Sequence, residues 1–425
     1  MFGGMKPIST AALLAAAVSL GGVSAQAADL GGNCCADLEE RVAELEATTA
    51  RKGNRRVSLE VSGHVHQAIM FWEVDTPAGG VDGNGVAIPA NESNAYVGTP
   101  NTSRSRFRFR GSAAINADWE AGFLMEIGVR SNGLTATNQN DPRVNQGLDI
   151  RHEALYLRSR TLGTVWLGQS NEATEGITEI NLGGALNNSP DFLLAGPGGM
   201  LSSLAMNATD FVGVSGEQAG EGNRTNNIRY VSPTLAGFIF SASWGEDDAW
   251  GVALRYAGEF GPLRLAAGVG YKDQTDAIDG AGIATDDGYQ FGLSGSIMHT
   301  PTGLYLTGQY GENGDDVTNE TDDNWFVTVG IRQNFFGIGN TNIYGKYGEF
   351  DRDIQGAANG AFALAGADTA ESEGFGFGIE QRIDAAAMDI YVVYNNFDGE
   401  AFDAAGAQID TIEIDSVTLG ARIQF

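Results

Sequence analysis

Four arginines, Arg104, Arg106, Arg108 and Arg110, recur at every second position. In an extended chain that spacing puts side chains on one face, where they stack as a basic ladder. Further along, Glu172, Glu175, Glu179, Asp191 and Asp210 fall in a stretch from about Asn171 to Arg224 that lacks strand alternation. Bases on a wall opposite acids on a loop set up a transverse field, in which a polar solute can align while apolar ones are held back. By parity Arg158 joins the basic wall, as do Arg255, Arg264, Arg332, Lys346, Arg382 and Arg422. Other reactive residues carry less. His64 and His66 share a strand face, but no third ligand is in reach, so they read as wall-lining residues and no metal site is expected. His152 and Ser159 are the loose candidates for a hydrolytic pair and lack an orienting third group. No G-x-S-x-G, H-E-x-x-H, Walker A or C-x-x-C occurs, so no catalytic residue and no cofactor is expected.

A ladder needs strands to carry it. From Val57 to the C-terminus the apolar pattern has period two. Val57, Leu59, Val61, Val65, Ile69 and Phe71 take one face, against Ser58, Glu60, Ser62, His64 and His66 on the other. The alternation recurs through Phe107 and Phe109, Trp325 to Ile331, Phe375 to Ile379, and Val417 to Phe425. A soluble sandwich alternates too. Three features favour a membrane barrel. The apolar faces begin or end in Trp, Tyr or Phe, as an interfacial girdle requires. The opposite face is polar, charged and rich in small residues. Tight turns near 117–120, 161–163, 233–235, 261–262, 300–302 and 385–386 alternate with long acidic connections. The pattern from 57 to 425 predicts an all-β, transmembrane antiparallel barrel of about 16 strands, wide enough to leave an aqueous channel. An Arg on the lipid face at mid-membrane costs ~2–4 kcal/mol, so the ladder must face the interior. The 171–224 connection carries Ile177, Ile180, Leu182, Phe192, Leu193, Leu194 and Phe211, which need a surface to pack on. The inner wall supplies one and predicts a pore-constricting loop, with an extracellular cap as the alternative.

The 425 residues carry a net charge of −29, which argues against nucleic acid as a partner. Lys6, the apolar run Ala11 to Val23 and Ala25-Gln26-Ala27 form an export signal over residues 1–27, too short to span a membrane. Residues 28–55 then form an N-terminal periplasmic segment. Within it Leu38, Val42 and Leu45 are spaced as a helical seam of about two heptads, either a short coiled helix shared between subunits or a frayed helix on the barrel rim. Cys34 and Cys35 are adjacent, a strained geometry for bridging each other, so an intersubunit disulfide and free thiols are the two readings. The acidic loops also suit a secreted calcium-binding β-protein, but the G-G-x-G-x-D period is missing. Acids at the mouth and bases within predict a weak cation preference that shrinks as salt rises.

The run DLEERVAELEATTARKGNRRVSLEVSG, then MFW, NTSRSRFRFRG, the long third loop and a terminal Phe425 resemble the general porins of alphaproteobacteria across essentially the whole mature chain. The resemblance implies a 16-stranded porin barrel over 56–425, assembled as a homotrimer in the outer membrane of a Gram-negative bacterium. It implies contact with membrane lipid and lipopolysaccharide, and passive diffusion of ions and small polar solutes; a substrate-specific outer-membrane channel is the alternative. It also implies that the last strand, VTLGARIQF, is the assembly signal. Arg104, Arg106, Arg108 and Arg110 map onto the basic wall of the family's eyelet, which Arg158 joins by parity, and Glu172, Glu175, Glu179 and Asp191 map onto its acidic loop.

Overall fold

The computed structural model describes residues 57–187, 193, 196–212, 219–245, 248–274, 288–315, 321–353 and 366–425. The expected export signal, the expected helical segment, Cys34, Cys35 and Asp191 lie outside the described residues. Strands β1 (Ser58–Asp75), β2 (Asn91–Gly98), β3 (Arg106–Ala114), β4 (Trp119–Arg130), β5 (Gly147–Ser159) and β6 (Gly163–Asn171) precede the long loop. After it come β7 (Arg224–Val231), β8 (Phe238–Gly245), β9 (Trp250–Phe260), β10 (Leu263–Gln274), β11 (Gly288–His299) and β12 (Leu304–Asp315). Then follow β13 (Thr321–Gln333), β14 (Thr341–Asp353), β15 (Thr369–Ile383), β16 (Met388–Phe402) and β17 (Gln408–Gln424). All pairings between strands are antiparallel and join sequence neighbours, except that β1 also pairs with β17 and with β3. The β1–β17 pairing closes the sheet, and the Gly63 and Phe425 backbones exchange two hydrogen bonds of 3.0 Å.

The strand count shows how the barrel is built. β2 pairs with the upper half of β1, from Ala68 to Asp75, and β3 with the lower half, from Ser58 to His64. The two therefore occupy one position in the wall, and 17 segments make a closed barrel of 16 strands. Pro100 accounts for the break: it has no N–H to give the ladder, and it forces the chain out of register. Residues 99–105 leave the sheet and fold inward. This corrects the continuous ladder expected from sequence spacing, because the strand begins at Arg106 and Arg104 lies on the excursion.

Which face is which follows from exposure. Val61 and Val65 on β1 are 54% and 51% exposed, whereas the alternate residues Met70 and Trp72 are 0% and 3% exposed. The apolar set read from the sequence thus faces outward, and with no edge left, strands satisfy every requirement for crossing lipid. Among the described residues no helix is long and apolar enough to cross a membrane. An aromatic row girdles the outer face: Trp250 and Tyr271 lie 5.7 Å apart between ring centres, Tyr271 and Tyr289 6.0 Å, Trp325 and Tyr347 5.5 Å, Phe375 and Tyr394 5.9 Å. Its hydroxyls donate to carboxylates beside them, and the Tyr347 hydroxyl lies 2.7 Å from both Glu349 and Glu373, either of which can accept its proton.

The described residues of the 172–223 connection lie against the inner wall. Ile177 and Ile180 are buried against β10 and β11, where Gly268, Gly270 and Gly292 leave room for them. Leu182, Ala185 and Leu186 sit on inward-facing Tyr305, Tyr344 and Tyr391. Leu193, Met200, Met206 and Phe211 pack on Met70, Trp72, Phe397 and Ile414 from β1, β16 and β17. The loop returns past Phe326 and Phe350, which pack with Val212. Its described apolar residues find the inner wall, as their composition requires, while Phe192 and Leu194 lie outside the described residues.

Candidate functional site

The basic side of the interior is built on β3, β4 and β5. Phe107 and Phe109 point outward, so Arg106 and Arg108 point in. Their partner is on the next strand: Arg106 Nη1 donates to Glu126 Oε1 at 3.1 Å, and Arg108 Nε to Glu126 Oε2 at 2.7 Å. A bulge on β5 between the partners of Glu126 and Ile127 turns two successive residues inward, Arg151 and His152. Arg151 Nε then donates to the same Glu126 Oε1 at 2.8 Å. Glu126 is fully buried, and three guanidiniums offset the cost of desolvating it. One turn of the wall away, Arg104 and Arg130 flank Asp149 at 3.2 and 3.9 Å. Five arginines therefore share two carboxylates, and this side of the interior carries an excess of positive charge.

Arg110 continues the ladder on β3 and has no ion pair among the described residues. Arg158 sits near the short turn between β5 and β6, 3.8 Å from Glu120, with its guanidinium 5.2 Å from the Tyr156 ring centre. It belongs to the foot of the barrel, apart from the Glu126 cluster. Arg264 likewise pairs with Glu259 at 2.7 Å beside a tight turn.

The loop acids are tied mostly to their own neighbourhood. Glu172 accepts from Lys272 Nζ at 3.0 Å and from the Asn223 backbone at 2.9 Å. Glu175 pairs with Arg224. Arg255 holds the same stretch through the carbonyls of Ala173 and Glu175, at 2.9 and 2.7 Å. Glu179 projects, exposed, into the enclosed interior; the surrounding wall and then the Glu175 carboxylate push its pKa up. Asp210 caps its own turn, accepting from the Asn207 backbone at 2.8 Å, and burial raises its pKa. So the acids expected to face the ladder are split. Glu172 and Glu175 are bonded to Lys272 and Arg224, and the ladder's own counter-charge is Glu126.

The sequence reading overlooked Glu221. Its buried carboxylate accepts from the backbone of Gly176 and from the backbone and hydroxyl of Thr178, the Thr178 N–H at 2.9 Å, and so staples the returning arm of the loop to the outgoing arm. Burial, then repulsion from Glu179 and Glu175, pushes its pKa up to about 8. Nothing in the sequence singles it out, because its partners lie more than 40 positions away.

The histidines serve the inward excursion. His66 bonds the Ser103 carbonyl at 2.9 Å and the Tyr391 hydroxyl at 2.7 Å, and His64 bonds the Arg104 carbonyl at 3.0 Å. Among the described residues no group of three His, Cys, Asp or Glu is placed to hold a metal. Ser159 donates to Asp118 at 2.9 Å at the foot of β5, seven residues and roughly 23 Å along the strand from His152, so the two form no catalytic pair.

The fold has solved counterparts. An anion-selective porin from Comamonas acidovorans superposes with a TM-score of 0.55 at 18% identity, covering 87% of this chain and 100% of that one. The trimer form of OmpT, an outer membrane protein of Vibrio cholerae, gives 0.52 at 14% identity, covering 87% and 99%. The outer membrane channel DcaP of Acinetobacter baumannii gives 0.51 at 14% identity, covering 88% and 99%. No curated protein matches the chain. The Gram-negative porin family model matches residues 9–402, so nearly the whole barrel answers to one family. With its closed 16-stranded wall, inward arginines and loop laid inside, this chain belongs to the Gram-negative porins.

Proposed function

We propose that the barrel is a water-filled diffusion channel for ions and small hydrophilic solutes, narrowed by the 172–223 loop. The observation that carries this reading is the loop's seat: it occupies one side of the interior and leaves the Arg106–Arg108–Arg151 wall facing it. A solute crossing between them meets bases on one side and the exposed Glu179 on the other, with the buried Glu175 and Glu221 carboxylates behind it. A planar-bilayer measurement in a salt gradient tests it. Stepwise conductance that grows linearly with salt supports diffusion; conductance that saturates would replace it with a substrate-specific channel, and no steps at all would remove the pore.

The assembly fits a homotrimer in the outer membrane, among lipid and lipopolysaccharide. Glu153 faces outward on β5 between Ile150 and Leu155, which are 55% and 62% exposed. Its neighbours across the strands are Met125 and Gln169. A carboxylate in mid-membrane is disfavoured against lipid, so this sector of β4, β5 and β6 suits a subunit contact better than an acyl chain. Light scattering in mild detergent giving one chain per particle would refute the trimer.

A further inference from the structure

The excursion at 99–105 is tied down from every side. Where β1 loses its backbone partner, Ser105 replaces it: its hydroxyl accepts from the His66 N–H at 2.9 Å and donates to the His66 carbonyl at 3.0 Å. Gln67 donates to Thr99 Oγ1 at 3.0 Å, and the Thr99 N–H donates to the Asn132 carbonyl at 2.7 Å. Three arginines converge on these seven residues, and a fourth, Arg104, reaches out from them. Arg422 from β17 donates to Ser103 Oγ at 3.2 Å, Arg106 to the Arg104 carbonyl at 3.2 Å, Arg130 to Asn101 Oδ1 at 3.5 Å, and Arg104 itself reaches Asp149. At its tip Thr102 donates to Asn187 Oδ1 at 3.1 Å, and Asn187 belongs to the long loop.

We propose that residues 99–105 are a second constricting segment, clasped to the long loop through Thr102 and Asn187, and that the pore is bounded by two inward segments. The inference rests on the channel reading and assigns one more stretch of chain to the conducting path. A loop that only repaired a broken strand would need no contact with Asn187. This one spans from the wall to the loop with half-exposed Asn101 and Thr102 at its tip. Its basic surroundings make it a determinant of selectivity, slowing solutes that carry carboxylate or phosphate groups.

The test is charge placement by thiol labelling in the full chain with Cys34 and Cys35 changed to serine. Thr102→Cys and, separately, Asn101→Cys are treated with methanethiosulfonates bearing a trimethylammonium or a sulfonate group, and labelling is scored by mass. If either position lines the path, both reagents lower single-channel conductance. The sulfonate shifts the reversal potential towards cations and the trimethylammonium towards anions. Complete labelling with conductance and reversal potential unchanged, or a folded channel in which neither cysteine can be labelled, would overturn the proposal. If the unlabelled parent conducts no ions, the channel reading itself fails, and the two failures stay distinct.

Discussion

Two sectors of the inner wall obey the same alternation and are built of opposite materials. On β10, β11 and β12 the inward positions include Gly268, Gly270, Gly292 and Gly311, and the loop lies directly on them. On β3, β4 and β5 they are Arg106, Arg108, Glu126, Arg151 and His152, and long charged side chains fill the space. At Gly270 an added Cβ would come within 2.9 Å of Thr174 Cγ2 and 3.0 Å of Ile177 Cγ1, and at Gly311 it would strike the Ala219 carbonyl. Absence of a side chain is what lets backbone approach backbone there. The contrast teaches that the asymmetry of the interior is set by the wall: glycine decides where the loop rests, and arginine decides what the loop faces.

Breaking the glycine side should have the largest effect. Gly311→Val places branched carbons where the Ala219 carbonyl lies, so the returning arm of the loop must lift. The barrel, held by its strand ladders, should still migrate as a folded species before heating. Its single-channel current should rise and become noisy, and protease should cut within 172–223. Wild-type current together with wild-type resistance to cleavage would show that the loop is not seated by this wall.

Changing the arginine side should alter charge more than shape. Glu126→Gln leaves Arg106, Arg108 and Arg151 crowded without their shared counter-charge. Loss of the buried partner should cost about 3 kcal/mol in urea unfolding, and the channel should turn towards anions. The triple change Arg106→Gln, Arg108→Gln, Arg110→Gln should move the reversal potential the opposite way, towards cations. Raising salt screens the acidic mouth first, since the Debye length falls to about 3 Å at 1 M. The wild-type preference should therefore drift towards anions as salt rises, because five arginines share two carboxylates at the wall. Equal reversal potentials in the two variants would place this wall outside the conducting path.

Much of this was legible from the sequence, and the gaps have physical causes. Period two placed Val61, Phe109 and Val327 outward correctly because lipid leaves one solution for an apolar face. The apolar residues of the loop announced that it needed a surface. What failed was everything that breaks the period or depends on register. Pro100 interrupts the second strand and takes Arg104 off the ladder, a signal present in the sequence and outweighed by the regular arginine spacing. The bulge at Arg151 and His152 turns neighbours to one side, which alternation forbids. Glu126 could be placed facing inward, but its pairing with Arg108 is a matter of cross-strand register, and period two leaves register open.

The smallest expected effect is the most diagnostic of how loop and wall communicate. Glu221 is an ordinary carboxyl whose pKa burial and two acidic neighbours push up to about 8. The sign follows from linkage. With the loop seated, the group holds a proton at pH values where a solvated glutamate has released it. Seating is therefore most favourable below the ordinary carboxyl range, and that contribution is lost as pH rises through about 8. The same titration adds negative charge beside Glu175 and Glu179, opposite the arginines. From the ordinary carboxyl range up to about 8, rising pH should make the current progressively noisier, and around about 8 it should shift the reversal potential towards cations. Glu221→Gln keeps the side chain neutral at every pH, so its trace should stay flat across the interval. If the variant titrates as the wild type does, the proton resides elsewhere in the group, and Glu221 is a staple that never changes charge.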